Sequence, residues 1–300
     1  MFSTIQKWGS FVRFSHTVFA LPFALAAMAV AARNNHGWPG GKTFGLILAA
    51  MVCARTCAMA FNRIVDRKFD ALNPRTAKRH LPAGSISLGS AIFLCALSAA
   101  GLLAASYFLN LLCFYLAPVA LAVICFYSLT KRFTDYTHVF LGISLALAPI
   151  GAWLAVRGSN ISPIEIGQML ALAVSVVLWL VGFDIIYALQ DYEFDRSQGL
   201  HSLVVAWGPK NALHAAFLAH MLMCGLLLAF GVLAFGPRPI AYLVGWLLIV
   251  GCLVLEHWIA RRRSLNWINI AFFRLNALVS AVFFVVTVAE VVFQGGFQMR

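Results

Sequence analysis

Residues 166–183 run Ile166-Gly-Gln-Met-Leu-Ala-Leu-Ala-Val-Ser-Val-Val-Leu-Trp-Leu-Val-Gly-Phe183, with no charged side chain between Glu165 and Asp184. A helix needs roughly 20 mostly apolar residues to cross a lipid bilayer. Comparable runs recur along the chain and predict nine helices near residues 11–32, 43–65, 86–108, 110–129, 136–156, 164–188, 211–234, 239–260 and 268–293. The sequence therefore predicts an all-α polytopic membrane protein built as a bundle of nine transmembrane helices.

The composition supports a membrane protein. Of the 300 residues, 62% are hydrophobic and only 11% are charged, whereas a typical soluble chain is about 45–50% apolar and about 25% charged. These values exclude ordinary soluble, disordered, collagen-like and disulfide-scaffold proteins. The seven cysteines fall almost entirely in apolar runs and form no Cys-x-x-Cys pair, so we expect no disulfide framework and no zinc or iron–sulfur site. We expect residues 1–300 to form one integral-membrane domain.

The positive charge predicts an orientation. The net charge is +12, from 22 Lys and Arg against 10 Asp and Glu. In a soluble protein this excess would suggest nucleic-acid binding, but in membrane proteins Lys and Arg collect in cytoplasmic loops. With the N-terminus inside, fifteen of these cations fall on the cytoplasmic side and five on the other. We expect a bacterial-type inner-membrane protein with a cytoplasmic N-terminus, a C-terminus on the opposite side and no nucleic-acid partner.

Six of the ten acidic residues lie in two short segments, 66–70 and 184–195, at the predicted cytoplasmic ends of helices. The first is part of Asn62-Arg-Ile-Val-Asp66-Arg-Lys-Phe-Asp70. Its i, i+4, i+8 spacing places one amide and two carboxylates on one helical face. Carboxylates at a membrane edge are costly and are candidates for function.

The second segment is Asp184-Ile-Ile-Tyr187-Ala-Leu-Gln-Asp191-Tyr-Glu-Phe-Asp195. Its spacing predicts that these four named side chains share one face of one helix. Both segments contain Asp-x-x-Phe-Asp, an echo consistent with two pseudo-equivalent halves near 1–160 and 161–300.

The two clusters together favour a magnesium–diphosphate site. Facing carboxylates repel each other unless a cation lies between them, and Mg²⁺ binds through a few carboxylates together with substrate phosphates. The basic residues that follow, Arg75 and Arg79 after the first cluster and Lys131 and Arg132 after the fourth span, supply the charge that a polyanion needs. Such a metal would stabilise charge on a departing diphosphate.

These residues resemble the UbiA superfamily of intramembrane aromatic prenyltransferases over essentially the whole chain. Asn62…Asp66…Asp70 and Arg75-Thr-x-x-Arg79 match the family's first motif, and Tyr187…Asp191…Asp195 matches its second. The stretch Tyr127-Ser-Leu-Thr-Lys131-Arg132-Phe-Thr134 is similar to the loop of members that use 4-hydroxybenzoate. His80 stands where many members have Pro. The runs Phe14-Ser-His16-Thr, Tyr187-Ala-Leu-Gln-Asp191 and Gly199-Leu-His201-Ser together look like a sub-branch that acts in the futalosine route to menaquinone.

The resemblance implies a central cavity open to the cytoplasmic side, with a lateral gap toward lipid for a prenyl tail. It implies Mg²⁺-dependent transfer of a polyprenyl group from polyprenyl diphosphate to an aromatic acceptor, most simply 4-hydroxybenzoate, in ubiquinone or menaquinone synthesis. The implied metal ligands are Asn62, Asp66, Asp70, Asp191 and Asp195, and the four aspartates among them are also the implied catalytic residues. The implied diphosphate contacts are Arg75, Arg79, Lys131 and Arg132, and the candidate acceptor contacts are Arg13, His16, Asp184, Tyr187 and His201.

Two alternatives remain open at this level. Within the family, the sequence favours 1,4-dihydroxy-6-naphthoate as the acceptor almost as much as it favours 4-hydroxybenzoate. From another class, an ion-coupled secondary transporter would also carry intramembrane carboxylates, although such carboxylates usually lie near the bilayer midplane. The Asp-x-x-Asp-Gly-x-x-Ala-Arg run of CDP-alcohol transferases is absent from the sequence.

Overall fold

The computed structural model describes residues 2–13, 17–35, 37–262 and 265–294. Within these ranges the regular elements are helices and none is a strand, which confirms the all-α prediction. The α-helices are α1 (Phe2–Phe11), α2 (Thr17–Arg33), α3 (Gly41–Leu72), α4 (Leu88–Leu109), α5 (Leu111–Tyr127), α6 (Thr137–Arg157), α7 (Pro163–Ala188), α8 (Tyr192–Ser197), α9 (Leu203–Phe235), α10 (Ile240–Arg262) and α11 (Leu265–Phe293).

The apolar helices agree with the predicted spans. Among the described residues, eight segments are long and apolar enough to cross a membrane, and a shorter apolar helix covers Phe19–Arg33. The helix predicted at 11–32 corresponds to α2, which begins later than predicted, at Thr17, while Phe11 is the last residue of α1. Arg13 has a φ of +48°, a left-handed conformation that a right-handed helix does not accommodate.

Two helices extend beyond the predicted limits. α3 continues to Leu72 instead of ending near residue 65, so Asp66 and Asp70 are both helical, and Asp70 is 7% exposed. α9 begins at Leu203 rather than near 211 and is kinked at Gly208, where φ is +76°. Pro209 begins the second helical piece, a position where its missing N–H costs little.

The second acidic segment is not the single helix that its spacing predicts. α7 ends at Ala188, a 3₁₀ turn covers Leu189–Asp191, and α8 follows. Asp191 therefore lies in a turn and Asp195 on a separate short helix. The break nevertheless leaves the four polar side chains of the segment lining one cavity.

Close helix packing surrounds that cavity. A Cβ at Gly142 of α6 would lie 2.7 Å from the carbonyl oxygen of Val177 on α7, so this helix pair approaches closely only with glycine. Trp179 of α7 is fully buried and donates a hydrogen bond to Asn276 Oδ1 of α11 at 2.7 Å. Between α3, α5, α6 and α7 lies a cavity of about 630 Å³, polar at one end and apolar along the remainder.

The end of the bundle away from the polar part of the cavity is held by its own polar contacts. Arg157 at the end of α6 pairs with Glu165 in the first turn of α7, with 3.0 Å between Nη2 and Oε2. Arg33 of α2 donates to the carbonyl oxygen of Ala234 at 2.9 Å. These contacts join α6 to α7 and α2 to α9 at that end.

Candidate active site

The polar end of the cavity brings together both acidic segments and both basic loops. Twelve of the fourteen residues that the sequence analysis selected line it: Arg13, Asn62, Asp66, Asp70, Arg75, Arg79, Lys131, Arg132, Asp184, Tyr187, Asp191 and Asp195. His201 is not among the lining residues, and His16 lies outside the described residues.

Both carboxylates of the first segment are held by arginines from other segments. Asp66 Oδ1 lies 3.3 Å from Nη2 of Arg132, and Asp66 Oδ2 accepts a hydrogen bond from the Asn62 amide at 2.9 Å. Asp70 Oδ1 accepts a hydrogen bond from Nη1 of Arg79 at 2.6 Å. The first motif is therefore paired both within itself and with the turn after α5.

Both carboxylates of the second segment are also paired. Arg75 holds Asp191 with two hydrogen bonds: Nε donates to Oδ1 at 2.8 Å, and Nη2 donates to Oδ2. The side-chain amide of Asn73, a residue that sequence reasoning missed, also donates to Asp191 Oδ1, at 3.3 Å. Asp195 accepts a hydrogen bond from Nζ of Lys131 at 3.0 Å. The ion pairs of Asp191 and Asp195 therefore both join segments that are distant in sequence.

Arg75 links the carboxylate site to the aromatic wall of the cavity. Its Nη1 donates to the hydroxyl of Tyr187 at 2.9 Å, and its guanidinium carbon lies 5.4 Å from the centre of the Tyr187 ring. Burial alone would lower the pKa of Arg75, but the bonds and charge of Asp191 and the contact with Tyr187 outweigh burial and raise it above its ordinary value. Arg75 therefore stays charged at neutral pH.

The amide and carboxylate oxygens of the two acidic segments suit magnesium, although in this structure four of their carboxylates are paired with Arg or Lys side chains. Among the described residues, no three carboxylate, imidazole or thiol groups converge closely enough to hold a metal ion. The ligands offered are hard oxygens, which Mg²⁺ prefers. In addition, Asp70 Oδ2 is buried without a hydrogen-bond partner, and it lies 3.8 Å from Nη1 of Arg63. A metal–diphosphate complex would offer new partners to the carboxylates and to their four cations alike.

A further cation, Arg55, lies deeper in the cavity, and sequence reasoning missed it. Arg55 of α3 lines the cavity eleven residues before Asp66, about 16 Å further along the helix. Its Nε atom is buried with no hydrogen-bond partner, and it interacts electrostatically with the nearby Tyr127. The available signal was a single arginine within an apolar run, seven residues before Asn62 and hence on the same helical face.

Asp184 lines the cavity, and a buried histidine outside the cavity lining contacts its carboxylate. His138, the second residue of α6, is fully buried, and its Nδ1 atom lies 2.7 Å from Asp184 Oδ2. His138 itself does not line the cavity. Nothing in the sequence pattern distinguishes His138 from a packing residue, because its partner lies 46 positions away.

The remaining acceptor candidates differ in position. Arg13 lines the cavity and interacts with the hydroxyl of Tyr187. His201 instead forms a partly exposed pair with Asp135, 2.9 Å between Nδ1 and Oδ1, and its backbone N–H donates to the carbonyl oxygen of Lys131 at 2.8 Å. In this structure His201 therefore supports the turn that carries Lys131, outside the cavity.

The rest of the cavity is apolar and long. Small residues of α3, namely Ala50, Ala54 and Ala58, line one wall, and the lining continues to Leu109 and Leu154 near the far ends of α4 and α6. A compartment of this shape and polarity suits a long hydrocarbon chain whose charged end lies among the ion pairs.

Comparison with known proteins agrees with this arrangement. The UbiA prenyltransferase family model matches residues 20–278. A 4-hydroxybenzoate octaprenyltransferase of Francisella tularensis subsp. mediasiatica (strain FSC147) is 31% identical over 176 residues. That match covers 59% of this chain and 60% of the relative, so it spans only part of the curated protein's length.

Two solved structures are similar over nearly the whole chain. The apo structure of a UbiA homolog from Aeropyrum pernix K1 has a TM-score of 0.80 and 33% identity, covering 94% of this chain and 98% of that one. A UbiA homolog from Archaeoglobus fulgidus bound to DMAPP and Mg²⁺ has a TM-score of 0.68 and 21% identity, covering 94% and 99%. On the extent of the family match and the likeness to the Aeropyrum protein, the chain belongs to the UbiA prenyltransferase family.

Proposed function

We propose that this protein transfers a polyprenyl group from polyprenyl diphosphate to a small aromatic acid in a magnesium-dependent reaction, with 4-hydroxybenzoate as the leading acceptor. The observation that carries the proposal is the set of four carboxylate–cation pairs at the polar end of a long apolar cavity. This polar end is called the mouth below. Family membership supports the reaction class, and the name of the Francisella relative supports the acceptor.

The metal and the diphosphate would divide the ion pairs between them. The side chains that would hold Mg²⁺ are Asn62, Asp66, Asp70, Asp191 and Asp195. The cations thereby released, Arg75, Arg79, Lys131 and Arg132, would bind the diphosphate oxygens. When bound, Mg²⁺ supplies stabilisation of the negative charge that develops on the leaving diphosphate. Before ligands bind, each carboxylate is compensated by an Arg or Lys, and after binding it would be compensated by the metal. No carboxylate is therefore left without a positive partner in either state.

The acceptor would lie between the mouth and the deeper cation. Arg55 has an unsatisfied buried Nε atom facing no described carboxylate at ion-pair distance, and a carboxylate on the acceptor ring would satisfy it. Both 4-hydroxybenzoate and 1,4-dihydroxy-6-naphthoate carry such a group. Tyr127 and Tyr187 line the same region, where aromatic faces stabilise the cationic carbon of an ionising prenyl group.

We further propose a bacterial-type inner membrane as the location, with the N-terminus and the cavity mouth in the cytoplasm and the C-terminus opposite. The excess of Lys and Arg in the loops on the mouth side supports this orientation.

An acceptor panel tests the proposal. Purified protein is incubated with Mg²⁺, octaprenyl diphosphate and one acceptor at a time, and prenylated products are detected by mass spectrometry. We expect product with 4-hydroxybenzoate or 1,4-dihydroxy-6-naphthoate, and no product with benzoate, whose ring lacks the activating hydroxyl. Prenylation of another acceptor class, with neither hydroxy acid modified, would rule out the quinone-precursor assignment.

A further inference from the structure

We propose that Asp184 and His138 form a dyad that activates the acceptor ring: Asp184 accepts the proton of the acceptor's hydroxyl, and His138 positions Asp184 for that transfer. The inference rests on the proposed aromatic acceptor and adds to it a base and a positioning residue. Asp184 would be a catalytic residue because it faces the cavity, whereas His138 acts only through Asp184.

The pairing of Asp184 differs from that of the other cavity carboxylates. The four carboxylates at the mouth each pair with Arg or Lys. Within the described ranges, the ion-pair partner of Asp184 is a histidine. Neither oxygen of Asp184 lies at ion-pair distance from an Arg or Lys of the described residues, and the side chain lines the cavity. Asp184 is therefore the cavity carboxylate that can meet an acceptor hydroxyl without first giving up a cation.

The hydrogen bonding of His138 fixes its orientation. Its Nδ1 atom lies 2.7 Å from Asp184 Oδ2, and its Nε2 atom is buried with no hydrogen-bond partner. A neutral imidazole has one donor nitrogen and one acceptor nitrogen. An unpaired buried donor is costly, so the proton belongs on Nδ1, from which it is donated to the carboxylate. His138 thus holds one oxygen of Asp184 and leaves the other for the cavity.

The position of Asp184 suits the acceptor rather than the diphosphate. It lies four residues before the end of α7, about 6 Å deeper than the turn that carries Asp191. Tyr127, a neighbour of Arg55, lies within electrostatic range of Asp184. In the proposed arrangement, Arg55 holds the carboxylate of the acceptor ring and the ring hydroxyl points toward Asp184, which lines the same cavity.

The proton transfers balance. The O–H bond of the acceptor breaks, its proton passes to Asp184, and the electron pair on oxygen is released into the ring. The ring carbon forms a bond to C1 of the prenyl group while the C1–O bond breaks and its electrons leave with diphosphate. The substituted ring carbon then loses its proton to water at the mouth, and the oxygen recovers its proton from Asp184. One proton and one diphosphate are released for each product.

Four variants in the full-length protein test the dyad, with kcat and KM measured for 4-hydroxybenzoate and for octaprenyl diphosphate. We expect Asp184→Asn to lower kcat about 100-fold, the lower range for loss of a general base, with little change in the KM of the prenyl donor. His138→Leu should lower kcat about tenfold, since a hydrogen bond to a charged group is lost. His138→Asn should restore most of the rate, because its amide nitrogen takes the place of Nδ1.

His220→Leu serves as the matched control for loss of a buried histidine. His220 is fully buried and lies outside the cavity lining, with its Nε2 atom 3.1 Å from the carbonyl oxygen of Trp179. The His220→Leu protein should melt at a lower temperature than the wild type, whereas its folded fraction should have the kcat and KM of the wild type.

The outcomes separate the two proposals. If the wild-type protein prenylates no hydroxyaromatic acid, the proposed function fails and the dyad is overturned with it. If the wild-type protein is active and both Asp184→Asn and His138→Leu match it, the dyad alone is overturned. The dyad is also overturned if His138→Asn is as impaired as His138→Leu, because that result assigns His138 to packing.

Discussion

Replacing Arg75 with glutamine should lower the thermal stability of the metal-free protein and increase the stabilisation that added Mg²⁺ produces. Arg75 makes two hydrogen bonds to Asp191 and one to Tyr187. Glutamine is too short and carries no charge, so Asp191, which is 8% exposed, would keep one hydrogen-bond donor among the described residues, the side-chain amide of Asn73. A carboxylate left in this state is destabilising in the folded protein but is a better metal ligand.

The expected magnitude follows from the burial of the two partners. Removing one member of a fully buried ion pair costs about 3–5 kcal/mol. The Arg75 side chain is 31% exposed, so solvent screening reduces the cost to about 2 kcal/mol. For a protein of this size that corresponds to a fall of roughly 4–8 °C in melting temperature. The same 2 kcal/mol, no longer opposing metal binding, would tighten the affinity for Mg²⁺ about 30-fold.

Thermal unfolding in detergent, measured in EDTA and across a series of Mg²⁺ concentrations, tests this expectation. The matched control is Arg157→Gln, which breaks the ion pair with Glu165 at the opposite end of the bundle. Both variants should melt at lower temperature in EDTA, but only Arg75→Gln should recover as Mg²⁺ is added, since a bound ligand stabilises the folded state. Equal Mg²⁺ responses in the wild type and both variants would refute the idea that Arg75 competes with the metal.

Three further results are expected. Arg55→Leu should raise the KM for an acidic acceptor about 10–100-fold, because one charge-assisted contact is lost, while the KM for the prenyl donor changes little in steady-state assays. Gly182→Ala should lower stability by about 1–3 kcal/mol in thermal unfolding, because its Cβ would clash with the ring of His220. Ala54→Phe should fill the apolar part of the cavity, so that product analysis shows transfer from geranyl diphosphate retained and transfer from octaprenyl diphosphate lost.

The sequence predicts the helices well where hydropathy alone determines them. The predicted helix at 86–108 corresponds to Leu88–Leu109, and the predicted helix at 136–156 corresponds to Thr137–Arg157. Hydropathy does not predict the break after Ala188, because apolar and polar residues continue there at helical spacing. It also places the start of α9 too late, because Gly208 and Pro209 are typical of a helix boundary but form a kink here.

The residues of the site were easier to predict than their partners. Two dense groups of carboxylates in a chain with few charges stand out in the sequence, and in the structure Asp66 and Asp191 line one cavity. The pairing of Arg75 with Asp191 depends on how a loop of 15 residues between α3 and α4 folds over α7 and α8, which local pattern does not determine. His138 was missed for a related reason, since only the packing of α6 on α7 reveals its partner.

Prenyl transfer by the wild type and by Asp66→Asn and Asp191→Asn, each with Mg²⁺ and with EDTA, tests most directly whether the two carboxylate segments form a metal–diphosphate site. Octaprenyl diphosphate and 4-hydroxybenzoate are the substrates, and Glu165→Gln, at the far end of the bundle, is the control for loss of a buried carboxylate. We predict that the wild type and the folded Glu165→Gln control transfer the prenyl group in Mg²⁺ and not in EDTA. In Mg²⁺, the transfer rate of each Asp variant should be at least about 100-fold lower than that of the wild type. Wild-type rates in either Asp variant, or undiminished transfer in EDTA, would contradict the account.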